Sequence, residues 1–384
     1  MVGVLPLRMK ESLLRLINIL RNNGRSPFFG FIQGHQNLSH SERKILNSFV
    51  GKTDSSVVTD YEVRFSSMVG IGSSTCFATG RMGFYALLKS LKIGFGDEVV
   101  LQGSTCAVMA NAILRRKATP IYADIDVKSF GSCAESIKKV ISPKTKMIVA
   151  QHSFGIPCEI EPISLLAKSK GIFLLEDCAL SFGSSVKGVL VGNFGDAALF
   201  SCDHTKPINT MVGGLVYTAS DSLHQKLQHI KLNSPEVDIL RQKHLFRQLC
   251  LESDYGNPEY FGKFRLKSLI KRKVLRVSSG FFDDDFSLPD TQEHYKYPLK
   301  LPLFLAQLGI KELAAWPNTR IIRKNNGALI LKSLRSAGFE EFLTVYDRKD
   351  LDIIPLRIAF THHNSKQILE ILNNFLDCDA IWFQ

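Results

Sequence analysis

The sequence predicts an α/β protein: a mostly parallel sheet flanked by helices, followed by a smaller C-terminal α+β domain. Three observations lead there. Between residues 73 and 232 short apolar runs alternate with segments of helical periodicity, and strand–helix–strand units of this kind build one sheet covered on both faces. Beyond about residue 233 the alternation stops, giving way to an irregular stretch and then longer helical patterns. Finally, 384 residues with 45% apolar and 22% charged side chains are enough for a sizeable core in a soluble globular protein. The expected division is a helical segment over 1–70, a large α/β domain over 71–235, and an irregular basic region with a small domain over 236–384.

Taken in order, "LSHSERKILNSF" offers Ser39 and Glu42 as a capping box, each side chain answering an orphan amide of a helix start. "DYEVRFSSMVG" continues with apolar residues at helical spacing and stops at Gly70. Strands are expected over 74–78, 98–102, 119–123, 146–151, 172–177, 197–201 and 214–218. Helices are expected in "RMGFYALLKSLKI", "AVMANAILRRK", "CAESIKKVI" and "IEPISLLAKSKG" between the earlier strands. The third stretch predicts two separate helices, "PLFLAQLGIKELAAWP" and "TRIIRKNNGALILKSLRSAG", then a strand over 354–360 and a helix over 365–376.

Composition removes several classes of function. No apolar run is long enough to span a bilayer, and the N-terminus lacks the core and cleavage site of a signal peptide. The eight cysteines are scattered, without C-x-x-C or a Cys/His cluster, so reduced thiols in the cytoplasm are expected and no zinc site. His362-His363 and Asp283-Asp284-Asp285 lack partners at ligand spacing and read as surface residues. A net charge of +12 invites nucleic acid, but no helix-turn-helix, zinc finger or aromatic platform supports it. Much of that charge sits in "KFRLKSLIKRKVLR", residues 263–276, which contain no acid. As an amphipathic helix it would suit an anionic membrane face or a polyanion, though such runs are more often a solvated face.

In parallel sheets ligands bind beyond the carboxyl ends of strands, so the residues there matter most. Thr79 and Gly80 stand at a strand-to-helix junction. Helix-start amides suit a phosphate, Gly80 lets the backbone come close, and Arg81 adds charge. The run "IFLLED" ends on Glu176-Asp177, and a carboxylate at the end of a buried strand needs a cationic or hydrogen-bonding partner. Downstream, Lys206 follows another apolar strand and precedes Gly213-Gly214, which suits a half-buried, mobile amine. A carboxylate facing a protonated ring nitrogen and a lysine that condenses with an aldehyde are the two groups pyridoxal 5′-phosphate requires. Ser201, where the preceding strand ends, has a hydroxyl to offer the phosphate. His204, two residues before Lys206, reads as a locally satisfied histidine.

At this point the chain resembles the DegT/DnrJ/EryC1/StrS sugar aminotransferases, of the aspartate aminotransferase-like fold type I. The resemblance rests on an ordered series: "TDYEVRFSSMVG", "ATGRMGFYALLKSLKIGFGDEVVLQGSTCAVMANAI", "ISPKTKMIVAQHSFGIPCEI", "GIFLLEDCALSFGS" and "VGNFGDAALFSCDHTKPINTMVGGLVYT". It implies that Lys206 is the Schiff-base lysine, Asp177 the pyridinium partner, and Gly80, Arg81 and Ser201 the phosphate site. His152 and Gly155 match an H-x-[YF]-G element, and Asn233 an asparagine that reaches the partner subunit's phosphate. Cys106 stands where the family stacks an aromatic on the ring, and Leu180 and Phe182 where it commonly has glutamine and histidine. The implied function is amino transfer from an amino acid, glutamate by expectation, to a keto-sugar linked to a nucleotide, in a homodimer making surface polysaccharide or amino sugars. Two alternatives stay open: a non-catalytic binding protein that kept the fold, and a sugar dehydratase of the same cofactor, against which Lys206 argues because that branch replaces the lysine with histidine.

Overall fold

The computed structural model describes residues 37–53, 56–255, 282 and 296–372. The basic run 263–276 and Asp283-Asp284-Asp285 lie outside the described residues. Two compact units emerge, one from 1–44, 243–280 and 363–384, the other from 45–242 and 281–362. Each gathers separated stretches, so this partition runs differently from the contiguous division 1–70, 71–235 and 236–384.

The described part of the first unit is small. Ser39 and Glu42 form the capping box of helix α1 (His40–Ser48): the Ser39 amide donates to the Glu42 carboxylate at 2.8 Å, and the Glu42 amide to Ser39 Oγ at 3.3 Å. Arg43 pairs with Asp254 at 2.6 Å, near the end of a helix over Ile239–Tyr255 that falls inside the stretch read as irregular. The closing helix spans Ser365–Leu372, and the remainder of its expected range lies outside the described residues.

The second unit is built on a seven-stranded sheet. Its strands are β1 (Ser73–Phe77), β2 (Glu98–Gln102), β3 (Thr119–Ala123), β4 (Thr145–Gln151), β5 (Phe173–Asp177), β8 (Ala197–Ser201) and β9 (Gly214–Thr218), in the order β1-β9-β8-β5-β4-β2-β3. From β8 through β3 every pair is parallel, while β9 runs antiparallel to both neighbours. All seven expected strands are present, within a residue or so at each end. A second sheet pairs β10 (Leu351–Asp352) with β6 (Ser185–Val186), and β6 with β7 (Val189–Leu190).

Apolar residues of the strands face two helical layers. On one side Val100, Ile148 and Leu174 pack with Ile137 of α5 (Ala134–Val140) and Ile160 and Ile163 of α6 (Ile160–Lys170). Elsewhere the core takes Tyr61 and Phe65 of α2 (Ser56–Val69) and Met82, Phe84 and Leu87 of α3 (Gly80–Ser90), all fully buried. Glu62 and Lys231, the latter on α7 (Asp221–Leu232), form a buried pair at 2.8 Å that also takes the Cys76 amide at 2.7 Å. This buried pair, with Glu62 accepting from Lys231 and from the Cys76 amide, links α2, α7 and β1.

Two expectations are corrected. The two helices forecast after residue 300 are one helix, Leu303–Ser336, running through Pro317. Proline removes one helical hydrogen bond, but Trp316 beside it is buried against Phe182 at 4.9 Å, and packing holds the rod across the break. The strand forecast over 354–360 does not form. Pro355 interrupts the run, and its amides are taken singly: Ile354 donates to Ser184 Oγ, Leu356 and Arg357 to the Phe154 carbonyl, and Ala359 to the Tyr346 hydroxyl. With its donors spent on loops and side chains, the segment has no ladder to join.

Candidate active site

The last residues of β4, β5 and β8 are Gln151, Asp177 and Ser201, and register places Gln151 beside Asp177 and Ser201 beside Gly214. Between β1 and α3, the Thr79 hydroxyl caps the helix by accepting the Met82 amide at 3.3 Å. The first amides of a helix have no partner within it, so Gly80 and Arg81 open a ready anion site. A Cβ built on Gly80 would lie 3.6 Å from the Ser201 Cβ, so the helix start and the serine form one cradle. Arg81 extends from it and donates to the Phe282 carbonyl at 2.6 Å.

The glycine pair after Lys206 has a different purpose from the mobility expected of it. A Cβ on Gly214 would fall 2.2 Å from Gly80 Cα, and one on Gly213, at φ +148°, 2.6 Å from the Thr210 hydroxyl. These glycines permit close packing; the loop itself is pinned. Cys202 and Gly213 pair through a 2.9 Å bond, His204 donates to the Met211 carbonyl at 3.1 Å, and Lys206 to the Asp203 carbonyl at 2.9 Å. The Asn209 side chain closes the turn by donating to the His204 carbonyl at 3.1 Å. Gly214→Ala is expected to destabilise the fold by about 3 kcal/mol, the upper end for overpacking, because the new atom meets backbone. Denaturant unfolding measures it; a loss under about 1 kcal/mol would show that β9 shifts freely away from α3.

Lys206 is half-buried, and burial pushes its amine below the ordinary range while Asp203 and then Asp177 pull it back. Asp177 is buried at the end of β5, and burial pushes its carboxyl up, opposed by the Ala179 amide and by Lys206. Among the described residues, that amide at 3.0 Å is the one hydrogen bond its carboxylate accepts. A buried carboxylate so thinly partnered calls for a cation, and a protonated ring nitrogen fits that requirement.

Glu176, next to it on the strand, points to the other face and accepts four bonds. The amides of Gly192, Phe194 and Gly195 donate at 2.8, 2.6 and 2.8 Å, and His152 Nε2 lies at 3.2 Å. The Cys158 amide donates to His152 Nδ1 at 3.0 Å, which leaves the ring proton on Nε2. His152, Glu176 and Cys178 bring possible ligand atoms within 4.8 Å of one another. His152 Nδ1 and the Glu176 carboxylate are already engaged, however, and burial pushes the Cys178 thiol up to about 12. This is a buried hydrogen-bonded set supporting the floor of the site.

Other expected residues divide. Gly155 is required for packing, since a Cβ would lie 2.2 Å from the Ile354 carbonyl oxygen. Cys106 is exposed and stands as the residue that opens α4 (Ala107–Arg115). Leu180 and Phe182 are both buried, and Phe182 joins Phe65, Phe200 and Trp316 in an aromatic cluster. Asn233, expected at the partner subunit's phosphate, stands at the end of α7. It caps α7 beside a cleft of about 370 Å³ lined by Lys89, His229 and Tyr297, and its amide nitrogen faces the His229 carbonyl and ring at 2.8 and 3.3 Å. Arg357 was missed by sequence reasoning; the Phe154 carbonyl seats its backbone, and its charge bears on Lys206. It lies in the stretch read as a strand, and nothing local marked it.

A lysine and a buried carboxylate around an anion cradle, at the ends of a mostly parallel sheet, define a cofactor-binding α/β protein. Comparison with known proteins gives the family: the sequence model of the DegT/DnrJ/EryC1/StrS aminotransferase family matches residues 36–250, and the chain belongs to it. It is 34% identical over 198 residues to "GDP-perosamine synthase" of Escherichia coli O157:H7, covering 50% of this chain and 54% of that one. With "UDP-N-acetyl-3-dehydro-alpha-D-glucosamine 3-aminotranferase" of Acidithiobacillus ferrooxidans it shares 33% over 171 residues, covering 44% and 46%. The chain thus spans about half the length of the curated relatives it matches. Among solved structures, S. venezuelae DesV superposes with a TM-score of 0.61 at 18% identity over 88% of this chain and 77% of that one. An E. coli GDP-4-keto-6-deoxy-D-mannose-3-dehydratase with bound hydrated PLP does so at 0.64 and 17%, over 89% and 82%. These structures share the fold type I architecture with this chain.

Proposed function

We propose that the chain binds pyridoxal 5′-phosphate and transfers an amino group from an amino acid, glutamate by expectation, to a nucleotide-linked keto-sugar. The observation that carries this reading is the convergence of Lys206, Asp177 and the Gly80–Ser201 cradle at the strand ends. The cofactor, when bound, supplies an aldehyde for the amine and a ring that accepts electrons. Gly80, Arg81 and Ser201 would hold its phosphate, and Asp177 would keep a proton on its ring nitrogen. Lys206 would hold it covalently, then carry a proton on Nζ; burial favours the neutral amine that both tasks need. Arg357, charged and close to Lys206, suits the carboxylate of an amino-acid donor.

Relatives named for sugar aminotransfer support the substrate class. We place the protein in the cytoplasm as a homodimer, with the large domain over 71–235 carrying the cofactor. Among the described residues no helix is long and apolar enough to cross a membrane. Asn233 would reach the partner subunit's phosphate only by turning its amide away from His229. One observation favours the non-catalytic reading: Leu180 is buried and has no polar atom to offer a substrate. Adding pyridoxal phosphate to the purified protein decides between them. A visible band that glutamate converts to the pyridoxamine form is expected; no band at all would give the lead to a binding protein.

A further inference from the structure

Two glutamines end neighbouring strands, and both are buried: Gln102 closes β2 and Gln151 closes β4. A buried carboxamide has an acceptor and two donor hydrogens to satisfy, and here the partners lie in the loops that follow β2, β3 and β4. Gln151 Oε1 accepts the Thr105 hydroxyl at 2.8 Å, and its Nε2 donates to Ser153 Oγ at 3.3 Å. Gln102 Nε2 donates to Ser104 Oγ at 3.0 Å and lies 3.4 Å from the same Ser153 oxygen. Ser132 joins the two, donating to Gln102 Oε1 at 3.2 Å while its oxygen takes the Gln151 amide at 2.9 Å. Register sets Gln151 against Asp177, and residues paired in this way on adjacent strands point to one face of the sheet. His152 and Glu176, in contact at 3.2 Å on the other face, obey the same alternation. The Thr105 hydroxyl is therefore held on the Asp177 face.

We propose that Gln151 and Thr105 are positioning residues of the cofactor site: their hydrogen bond fixes segment 103–106 against the end of β4, on the face of the sheet that carries Asp177, and so preforms one wall of the site. Little else holds this segment. Gly103 and Cys106 are exposed, and Ser104 and Thr105 are half-buried, so apolar packing contributes little. Cys106 opens α4 without a side-chain cap. Backbone bonds fix only its two ends, the Gly103 amide to the Ala123 carbonyl at 2.8 Å and the Met109 amide to the Cys106 carbonyl at 2.9 Å. Between those ends the ties are the side chains of Ser104 and Thr105, each on a buried glutamine. A wall already in place spares a ligand the entropy cost of ordering it, and the saving is read as affinity. An apolar side chain at 151 would fill the strand end equally well and leave Thr105 unheld. Both residues act through the wall they hold and take no part in bond making.

The inference rests on the cofactor reading of the site, and its test has one arm that needs no cofactor. Amide hydrogen exchange of the full chain alone, followed by mass spectrometry on peptides covering 103–109, reports how firmly the segment is held. Thr105→Val keeps the shape and removes the hydroxyl, so exchange there should quicken by roughly threefold to tenfold, the worth of one hydrogen bond. Thr105→Ser keeps the hydroxyl and should stay close to the wild type. In the second arm, titration with pyridoxal phosphate is followed by the visible band, and Thr105→Val should bind it more weakly by roughly the same threefold to tenfold. Gln151→Leu should lose at least as much, and adding Thr105→Val to it should cost nothing further, because the two residues share one bond. Should Gln151→Leu unfold, since it also releases Ser153, the two Thr105 variants decide the matter by themselves. Unchanged exchange in Thr105→Val, or losses that add in the double variant, would overturn the proposal. Faster exchange with unchanged affinity would overturn it too, leaving the bond a structural one. No visible band in the wild type would sink the function proposed above and this role with it, whereas a band that both Thr105 variants share unaltered would sink this role alone.

Discussion

Lys206→Ala is expected to abolish the borohydride-stable attachment of pyridoxal phosphate and to lower turnover by at least about 10²–10⁴-fold, the range typical of losing one proton-transfer group. The loss should sit in kcat with little change in fold, because Lys206 is half-buried and its turn is held by backbone bonds from Asp203, His204 and Cys202. Asp177→Asn makes the companion test. It keeps the shape and the Ala179 contact but removes the charge that would oppose a protonated ring nitrogen. Reduction with borohydride followed by peptide mapping distinguishes the two variants. Asp177→Asn should still give an adduct on Lys206, bound more weakly, while Lys206→Ala gives none. An adduct on another lysine in the wild type would show that the reactive amine lies elsewhere.

Glu176→Ala should cost about 3 kcal/mol or more in denaturant unfolding, and the variant should also bind cofactor poorly. The side chain is fully buried and accepts from three amides and His152. Each buried donor left without a partner costs about 1–3 kcal/mol, and water entering the gap recovers part of that. The three amides belong to one turn, 192–195, which feeds β8 and so sets the height of Ser201; the cradle is affected through its own support. Glu176→Gln is the sharper variant, because the amide group must turn one N–H toward backbone donors. A stability change below about 1 kcal/mol for both variants would mean that the turn closes without the carboxylate.

Much of this was legible in the sequence because it is local. Short apolar runs alternating with helical segments pointed to all seven strands, and Ser39 with Glu42 marked a helix start through bonds spanning only three residues. Lys206, Asp177, Gly80 and Ser201 could be singled out because each sits at or just beyond a strand end or at a strand-to-helix junction, where a parallel sheet presents its ligands. The failures are equally specific. Pro317 was read as a helix boundary, since proline lacks an amide, and burial of the adjoining Trp316 overrode it. Residues 354–360 have strand composition, but their amides were claimed by Phe154, Ser184 and Tyr346, and no local pattern announces such partners.

The glycines show where the division falls. Gly213-Gly214 was visible as a pair, and its meaning was not, because the atom that forbids a side chain at Gly214 belongs to Gly80, more than a hundred residues earlier. Arg357, far along the chain from Lys206, is of the same kind. Sequence by itself determined the elements and the chemical groups at their ends, since those follow from periodicity and from the few side chains able to do the chemistry. Only the tertiary structure decided which of those groups meet. Contacts between distant segments depend on packing and on the competition for buried hydrogen bonds, which no short stretch of chain can settle.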